Sequence, residues 1–319
     1  MVYIIPTTFH ILHSTYFCEM ATLYTFQSQN IRRTWILFSV FFIAVIALGW
    51  VFSQIFGNQS ILIYAVLFSV VSSIISYWSS DKIALAFARA KPITKEDNSV
   101  LYNLVENLSI TAGLPMPRVY VTPELQINAF ATGRNPQHAA IAVTRGTLEK
   151  LTKTELEGIL AHELSHIGNR DILVSTVAVI LAGVISLLGD FFLRSMFWGG
   201  MRQRSNNDNR SGGIFMLVGI LLSILAPLGG MLIQLAISRR REFLADASGV
   251  LLTRYPNGLI SALKKIGADK TPMRSAQSST AHLWIDTPFK GDHVSWFQKL
   301  FMTHPPIIER VKALEETAI

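Results

Sequence analysis

Residues 161–167 read AHELSHI, which sets His162, Glu163 and His166 at the spacing H-E-x-x-H. On a helix, residues four apart share a face, so two imidazoles can converge on one metal ion with a carboxylate beside them. That geometry suits hydrolysis. A catalytic zinc takes three protein ligands and leaves a fourth position for water, and Glu163 stands where a general base would deprotonate that water. The third ligand must come from elsewhere in the chain. Glu242 is the candidate, because it opens the run REFLADASG just after a long apolar stretch. Asp246, one helical turn further on, can accept the free N–H of a ligating histidine and fix its tautomer. The competing account of this segment is a solvated pairing of both carboxylates with Arg239, Arg240 and Arg241.

Distant segments have to be brought together for such a site, and composition says by what kind of scaffold. Half of the 319 residues are hydrophobic and 15% are charged, against about 25% charged in a typical soluble protein. That balance points to a membrane. The net charge of +7 is not gathered into a basic stripe interleaved with aromatics, so nucleic acid is not an expected partner. The lysines and arginines collect beside apolar runs instead, as topology signals do. With one cysteine, Cys18, neither a disulfide framework nor a cysteine metal site is available. The first 19 residues lack a basic start and are broken by Pro6, His10, His13 and Glu19, which makes a poor signal peptide and leaves Met20 as an alternative start.

Segment 34–80 has no charged residue and is split by Gly57, Asn58, Gln59 and Ser60. Two membrane helices are expected over 35–56 and 61–78, each near the roughly 20 residues that cross a bilayer. Arg32 and Arg33 before the first, with Lys82, Arg89, Lys91 and Lys95 after the second, put both flanks in the cytoplasm by the positive-inside rule. Two further apolar runs, 172–189 and 212–238, predict a second hairpin, although Arg194, Arg202, Arg204 and Arg210 between them oppose that rule.

Segment 81–171 reads as soluble. It predicts a helix over 97–112 stopped at Gly113 and Pro115, and a small sheet of turn-linked strands over 118–121, 127–131 and 139–143. The helix carrying HELSH follows, with a capping box of Thr152 and Glu155 or of Thr154 and Glu157. Segment 239–319 is soluble again, with helices over 255–266 and 306–316. The expected division is therefore 1–33, an N-terminal segment; 34–80, a hairpin; 81–171, a soluble region with the small sheet and the HELSH helix; 172–238, a second hairpin; and 239–319, a soluble region with the third candidate ligand. His166 and Glu242 flank the second hairpin closely, each within about 10 Å of the membrane surface at about 1.5 Å per residue. They can meet only on one side, as a hairpin allows.

Taken together, the two N-terminal spans, NAFATG at 128–133, AHELSHI, the second hairpin, SRRREFLADASG and THPP at 303–306 carry a resemblance that covers most of the chain from about residue 20. The sequence resembles the HtpX-type membrane zinc metalloproteases, bacterial heat-shock proteases related to the eukaryotic CAAX prenyl endopeptidases. The resemblance implies a multi-pass α-helical membrane protein of the bacterial inner membrane with a cytosolic α+β zincin-like metalloprotease domain. It implies one Zn²⁺ per chain on His162, His166 and Glu242, with Glu163 as general base, Asp246 behind a ligand, and polypeptide substrates drawn from misfolded or damaged membrane proteins in contact with membrane lipid. By similarity, Asn128 contacts the substrate backbone and His304 stabilises the oxyanion. Two other functions stay open: a CAAX-type prenyl-protein endopeptidase, against which four candidate spans argue, and a non-catalytic scaffold with structural zinc, which has no need of Glu163. His138, His282 and His293 have no ligand spacing to the motif.

Overall fold

A computed structural model of the chain describes residues 8–178, 180–181, 183–185, 239–273, 283–289 and 305–317. The expected span over 212–238, the residues 186–189 that end the run before it, and His282, His293 and His304 lie outside the described residues.

The chain begins with a helical hairpin, α1 (Thr8–Phe56) and α2 (Ser60–Trp78). Within it, Ser28–Trp50 and Ser60–Trp78 have mean hydropathies of 1.9 and 2.0 and are long enough to cross a bilayer. The turn falls where Gly57 to Gln59 lie, with Gly57 at φ 62°. A Cβ on Gly49 would overlap the Ala65 methyl, so the bare backbone there is what lets the two helices approach. α1 runs straight through the expected boundary at 33/34. No proline or glycine occurs between residues 7 and 48, so nothing local ends a helix there.

α3 (Ser80–Phe87) follows α2 directly and leads into a four-stranded sheet built from β1 (Lys91–Pro92), β2 (Arg118–Thr122), β3 (Ala129–Gly133) and β4 (Ala139–Thr144), with spatial order β1-β2-β4-β3. The strands are not simply turn-linked. β2 runs parallel to β4 (Val119↔Ile141) and β3 antiparallel to it (Ala129↔Val143), so β3 is an edge strand. It starts two residues later than periodicity suggests, because the preceding N–H groups are engaged elsewhere. Ile127 N donates to Asp269 Oδ2 at 2.8 Å and Asn128 N to Thr147 Oγ1 at 2.8 Å. α4 (Ser99–Ala112) is capped by Asn98, whose Oδ1 accepts from Leu101 N, and ends at Gly113 in the left-handed region (φ 64°), where glycine carries no steric penalty.

After the short α5 (Arg145–Lys150) comes α6 (Lys153–Gly168), the helix with HELSH. Of the two possible capping boxes, Thr152 with Glu155 forms: Thr152 N donates to Glu155 Oε2 at 2.7 Å, and Glu155 N to Thr152 Oγ1 at 3.4 Å. α6 buries Leu156, Ile159, Leu160, Leu164 and Ile167 in one core with α4 (Leu101, Val105), the sheet (Ile141, Val143), α9 (Pro256–Ala268; Leu259, Leu263) and α10 (Ile307–Thr317; Val311, Leu314). α8 (Arg239–Thr253) lies against α6 as closely as it does because Gly249 faces the backbone of His162, where a Cβ would stand 3.0 Å from His162 N. Segments 81–171 and 239–319, far apart in sequence, thus share one core. α7 (Asp171–Ile185) leaves α6 at 88° and packs Val174, Val177 and Leu181 against Leu37 and Phe41 of α1.

Glu155 does more than cap. Its buried carboxylate also accepts from Ser261 Oγ at 2.6 Å and Lys265 Nζ at 2.7 Å. Burial opposes its ionisation, but these donors and the Thr152 backbone outweigh it and hold the pKa at about 2. A depressed carboxylate stabilises the fold above its unfolded pKa near 4.5 and loses that contribution as pH falls from there toward 2. Glu155→Ala is expected to cost on the order of 2 kcal/mol at pH 7 and much less at pH 3. Denaturant titrations in detergent at the two pH values check this, and an equal cost at both would mean that the charge is not what stabilises.

Candidate metal centre

The α6 helix turns His162, Glu163 and His166 toward α8, which delivers Glu242 in its first turn. His162 and Glu163 are buried, and His166 is 15% exposed at its side chain. The two Nε2 atoms face each other at 3.2 Å, with the rings perpendicular. Each Nδ1 points away, to a carboxylate: His162 Nδ1 is 2.9 Å from Asp246 Oδ1 and His166 Nδ1 is 3.1 Å from Asp171 Oδ2. A carboxylate at Nδ1 holds the proton there and leaves Nε2 as an acceptor. Two acceptors aimed at each other repel unless a proton or a cation lies between them.

A divalent metal fits this arrangement. Ligands at roughly 2.0–2.1 Å from a tetrahedral zinc stand roughly 3.3 Å from one another, close to the observed Nε2 separation. Glu242 Oε1 is 3.7 Å from His166 Nε2 and Oε2 is 3.8 Å from His162 Nε2, and one ligand atom from each of the three residues lies within 4.8 Å of the others. Charge agrees with distance. Four buried carboxylates (Glu163, Asp171, Glu242, Asp246) surround the centre with two buried guanidiniums (Arg241, Arg310), a formal charge of −2 when all are ionised.

The electrostatics differ from residue to residue. Burial, with the Glu242 charge adding to it, pushes Glu163 up to about 7, although the Ala131 N–H bonds its carboxylate. Burial and then the Arg310 charge hold His162 below the usual histidine range. Burial opposes a charge on His166 too, but the Asp171 hydrogen bond and the Glu242 carboxylate outweigh it and raise His166 to about 9. A cation on His166 Nε2 therefore displaces a proton.

Asp246 and Asp171 are each held in turn. Arg310, fully buried on α10, donates from Nε to Asp246 Oδ2 at 2.8 Å and from Nη2 to Oδ1 at 2.6 Å, with Nη2 also 3.4 Å from His162 Nδ1. Asn30 of α1 donates to Asp171 Oδ1 at 2.6 Å and to the Asn169 carbonyl at 3.2 Å, and its own Oδ1 accepts from Arg241 Nη1 at 3.2 Å. None of Asp171, Arg310, Asn30 and Arg241 was singled out by sequence as part of the site. One signal for Arg310 was available: Ile307, Arg310, Val311 and Leu314 make a helical stripe in which a cation takes an apolar position. Asp171 stands five residues past His166, where it reads as the polar edge of an apolar run.

Glu163 opens on a cavity of about 40 Å³ shared with both histidines and Glu242, walled by Ala131 of β3 and covered by Leu283, Trp284 and Ile285. That cover is fastened to the β3 edge. Ile285 N donates to Ala129 O at 3.2 Å, Asn128 Nδ2 to Asp286 O at 2.9 Å, and Trp284 packs edge-on to Phe130 with centroids 4.7 Å apart. Asn128 is thus not among the clustered residues: its side chain is buried and bonded to Gln126 and Asp286. His138 pairs with Asn135 and Arg134, away from the cluster.

Comparison with known proteins agrees with the geometry. The model of peptidase family M48 matches residues 95–318. A protease HtpX homolog of Caldanaerobacter subterraneus subsp. tengcongensis is 48% identical over 302 residues, covering 93% of this chain and 99% of that protein. A protease HtpX homolog of Tropheryma whipplei is 42% identical over 294 residues, covering 92% of this chain and 98% of its own. Among solved structures, S. mikatae Ste24p aligns with 83% of this chain and 62% of its own length, at 20% identity and TM-score 0.47. With the H-E-x-x-H helix, the facing glutamate and the membrane-length helices already in place, the family match over 95–318 and the two HtpX homologs make the chain a member of peptidase family M48, a membrane-bound zinc metalloprotease.

Proposed function

We propose that His162, His166 and Glu242 hold one zinc ion, that Glu163 is the general base, and that Asp246 and Asp171 fix the two imidazoles. The 3.2 Å approach of the two Nε2 atoms, each imidazole tied at Nδ1 to a carboxylate, carries this reading. Zinc, when bound there, supplies Lewis-acid polarisation of the scissile carbonyl. Glu163 takes a proton from the attacking water as the new C–O bond forms and passes it to the amide nitrogen as the C–N bond breaks. A group near pKa 7 serves as both acceptor and donor at neutral pH. Beyond Ala129, whose carbonyl accepts from Ile285 N, the β3 edge is read as the strand that an extended peptide joins, a sequence-tolerant mode of binding, with Asn128 seating that edge. His304 is assigned the oxyanion on the THPP motif alone.

The substrates we assign are misfolded or damaged membrane proteins. Both hairpins, 34–80 and 172–238, are read as anchors in a bacterial inner membrane, with 81–171 and 239–319 forming the cytoplasmic protease. The basic residues flanking the first hairpin and the closeness of His166 and Glu242 to apolar runs support that orientation. Purified protein is expected to hold one zinc per chain and to cleave unfolded casein, with activity lost to a chelator and restored by zinc. In Glu242→Ala, zinc content should fall to about a tenth or less, since two neutral imidazoles alone make a weak site. Full zinc occupancy in that variant would move the third ligand elsewhere.

A further inference from the structure

A second cavity, of about 750 Å³, lies where α1 and α2 meet the protease core. Its long walls are Trp35, Phe38 and Phe42 of α1 and Val70, Ile74 and Trp78 of α2, all within the two segments of membrane-spanning length. From Ile31 to Phe42 it follows α1 through three turns, about 16 Å at 1.5 Å per residue. The core supplies two cations to it: Arg134, from the turn after β3, and Arg170, from the turn between α6 and α7.

Three other arginines of the core are each held by a carboxylate. Arg118 pairs with Asp81, Arg241 with Asp171 and Arg310 with Asp246. Among the described residues Arg134 and Arg170 have no carboxylate partner; Arg134 lies over the Trp78 ring at 4.3 Å, with a guanidinium nitrogen 2.9 Å from His138 Nε2. Arg170 holds φ at 58°, in the left-handed region that non-glycine residues rarely adopt. An elongated apolar groove in the span with two uncompensated guanidiniums against it needs an occupant that is apolar along its length and anionic at one end. A phospholipid supplies both parts, with Trp35, Tyr77 and Trp78 placed as aromatic residues are at headgroup level.

We propose that this groove binds one anionic phospholipid, its acyl chain along Phe38, Phe42, Val70 and Ile74 and its phosphate at Arg134 and Arg170. The test is native mass spectrometry of the full chain in lipid-free detergent, titrated with dioleoyl phosphatidylglycerol or dioleoyl phosphatidylcholine. One phosphatidylglycerol should be retained per chain, and phosphatidylcholine should bind at least about tenfold more weakly. Arg134→Gln with Arg170→Gln should weaken phosphatidylglycerol by about tenfold or more and phosphatidylcholine by less, bringing the two lipids to similar retention. Ser73→Trp, which fills the groove from α2 without altering charge, should displace both lipids. Equal retention of the two lipids by the parent, or phosphatidylglycerol binding indifferent to the paired arginine change, overturns the headgroup assignment. Retention indifferent to Ser73→Trp overturns the groove, and no retained lipid in the parent overturns the proposal outright, leaving the groove to the chain's own apolar segments. None of these measurements reads zinc or cleavage, so their failure is distinguishable from failure of the catalytic assignment.

Discussion

Glu163→Gln is expected to lower casein cleavage by about 10²- to 10⁴-fold, the usual contribution of a positioned general base, while the protein still carries one zinc. Glutamine has the shape of glutamate, and its carbonyl oxygen can still accept the Ala131 N–H that bonds the carboxylate. It cannot hold a proton between the water and the leaving amine. Zinc should stay because Glu163 is outside the trio whose atoms converge, His162, His166 and Glu242. Burial is the largest influence on Glu163 and disfavours its charge, outweighing its attraction to His166 and Arg310, so a neutral amide there should leave the variant no less stable than the parent. Metal analysis beside a cleavage assay decides the matter. Cleavage near the parent rate would remove Glu163 from the chemistry, and loss of zinc with loss of activity would make its role structural.

Arg310→Met should be the most destabilising single change near the site, by about 3–5 kcal/mol. Methionine replaces most of the volume, so the cost comes from charge. Asp246 would be left buried with His162 Nδ1 as its remaining close partner, having lost two bonds of 2.8 and 2.6 Å. Zinc should also bind about 10- to 100-fold more weakly, the usual consequence of disturbing the group behind a ligand. Arg310→Lys keeps the charge without the two-pronged geometry and should fall between. Denaturant midpoints and zinc competition with a chromophoric chelator read the two effects separately. A midpoint unchanged from the parent would show that Asp246 finds other partners.

What could be read in advance was what local periodicity and spacing encode. The apolar stretches of α1 and α2, the glycine stop after α4, the Thr152–Glu155 box and the H-E-x-x-H face are each decided within about two dozen consecutive residues. Glu242 and Asp246 were legible because their helical spacing matches two roles that a zinc site requires. The partners behind the histidines were not, since Asp171, Arg310 and Asn30 come from three separate elements and each looks locally like something common: a helix start, a surface cation, a polar flank before a span. Strand order escaped for the same reason. Nothing in 118–122 says that it pairs in parallel with 139–144 instead of with the strand that follows it, because that choice is made by packing α4 and α6 on one face of the sheet.

Asn30 has a consequence for how the enzyme comes into being. The amide that joins Asp171 to Arg241 is carried by α1, in a stretch long and apolar enough to cross a membrane, more than 130 residues before either. A fragment beginning at residue 95, where the family match starts, keeps His162, His166 and Glu242 and lacks the side chain that braces the carboxylate behind His166. The centre's full set of supports is therefore in place only when α1 lies against the segments that carry Asp171 and Arg241.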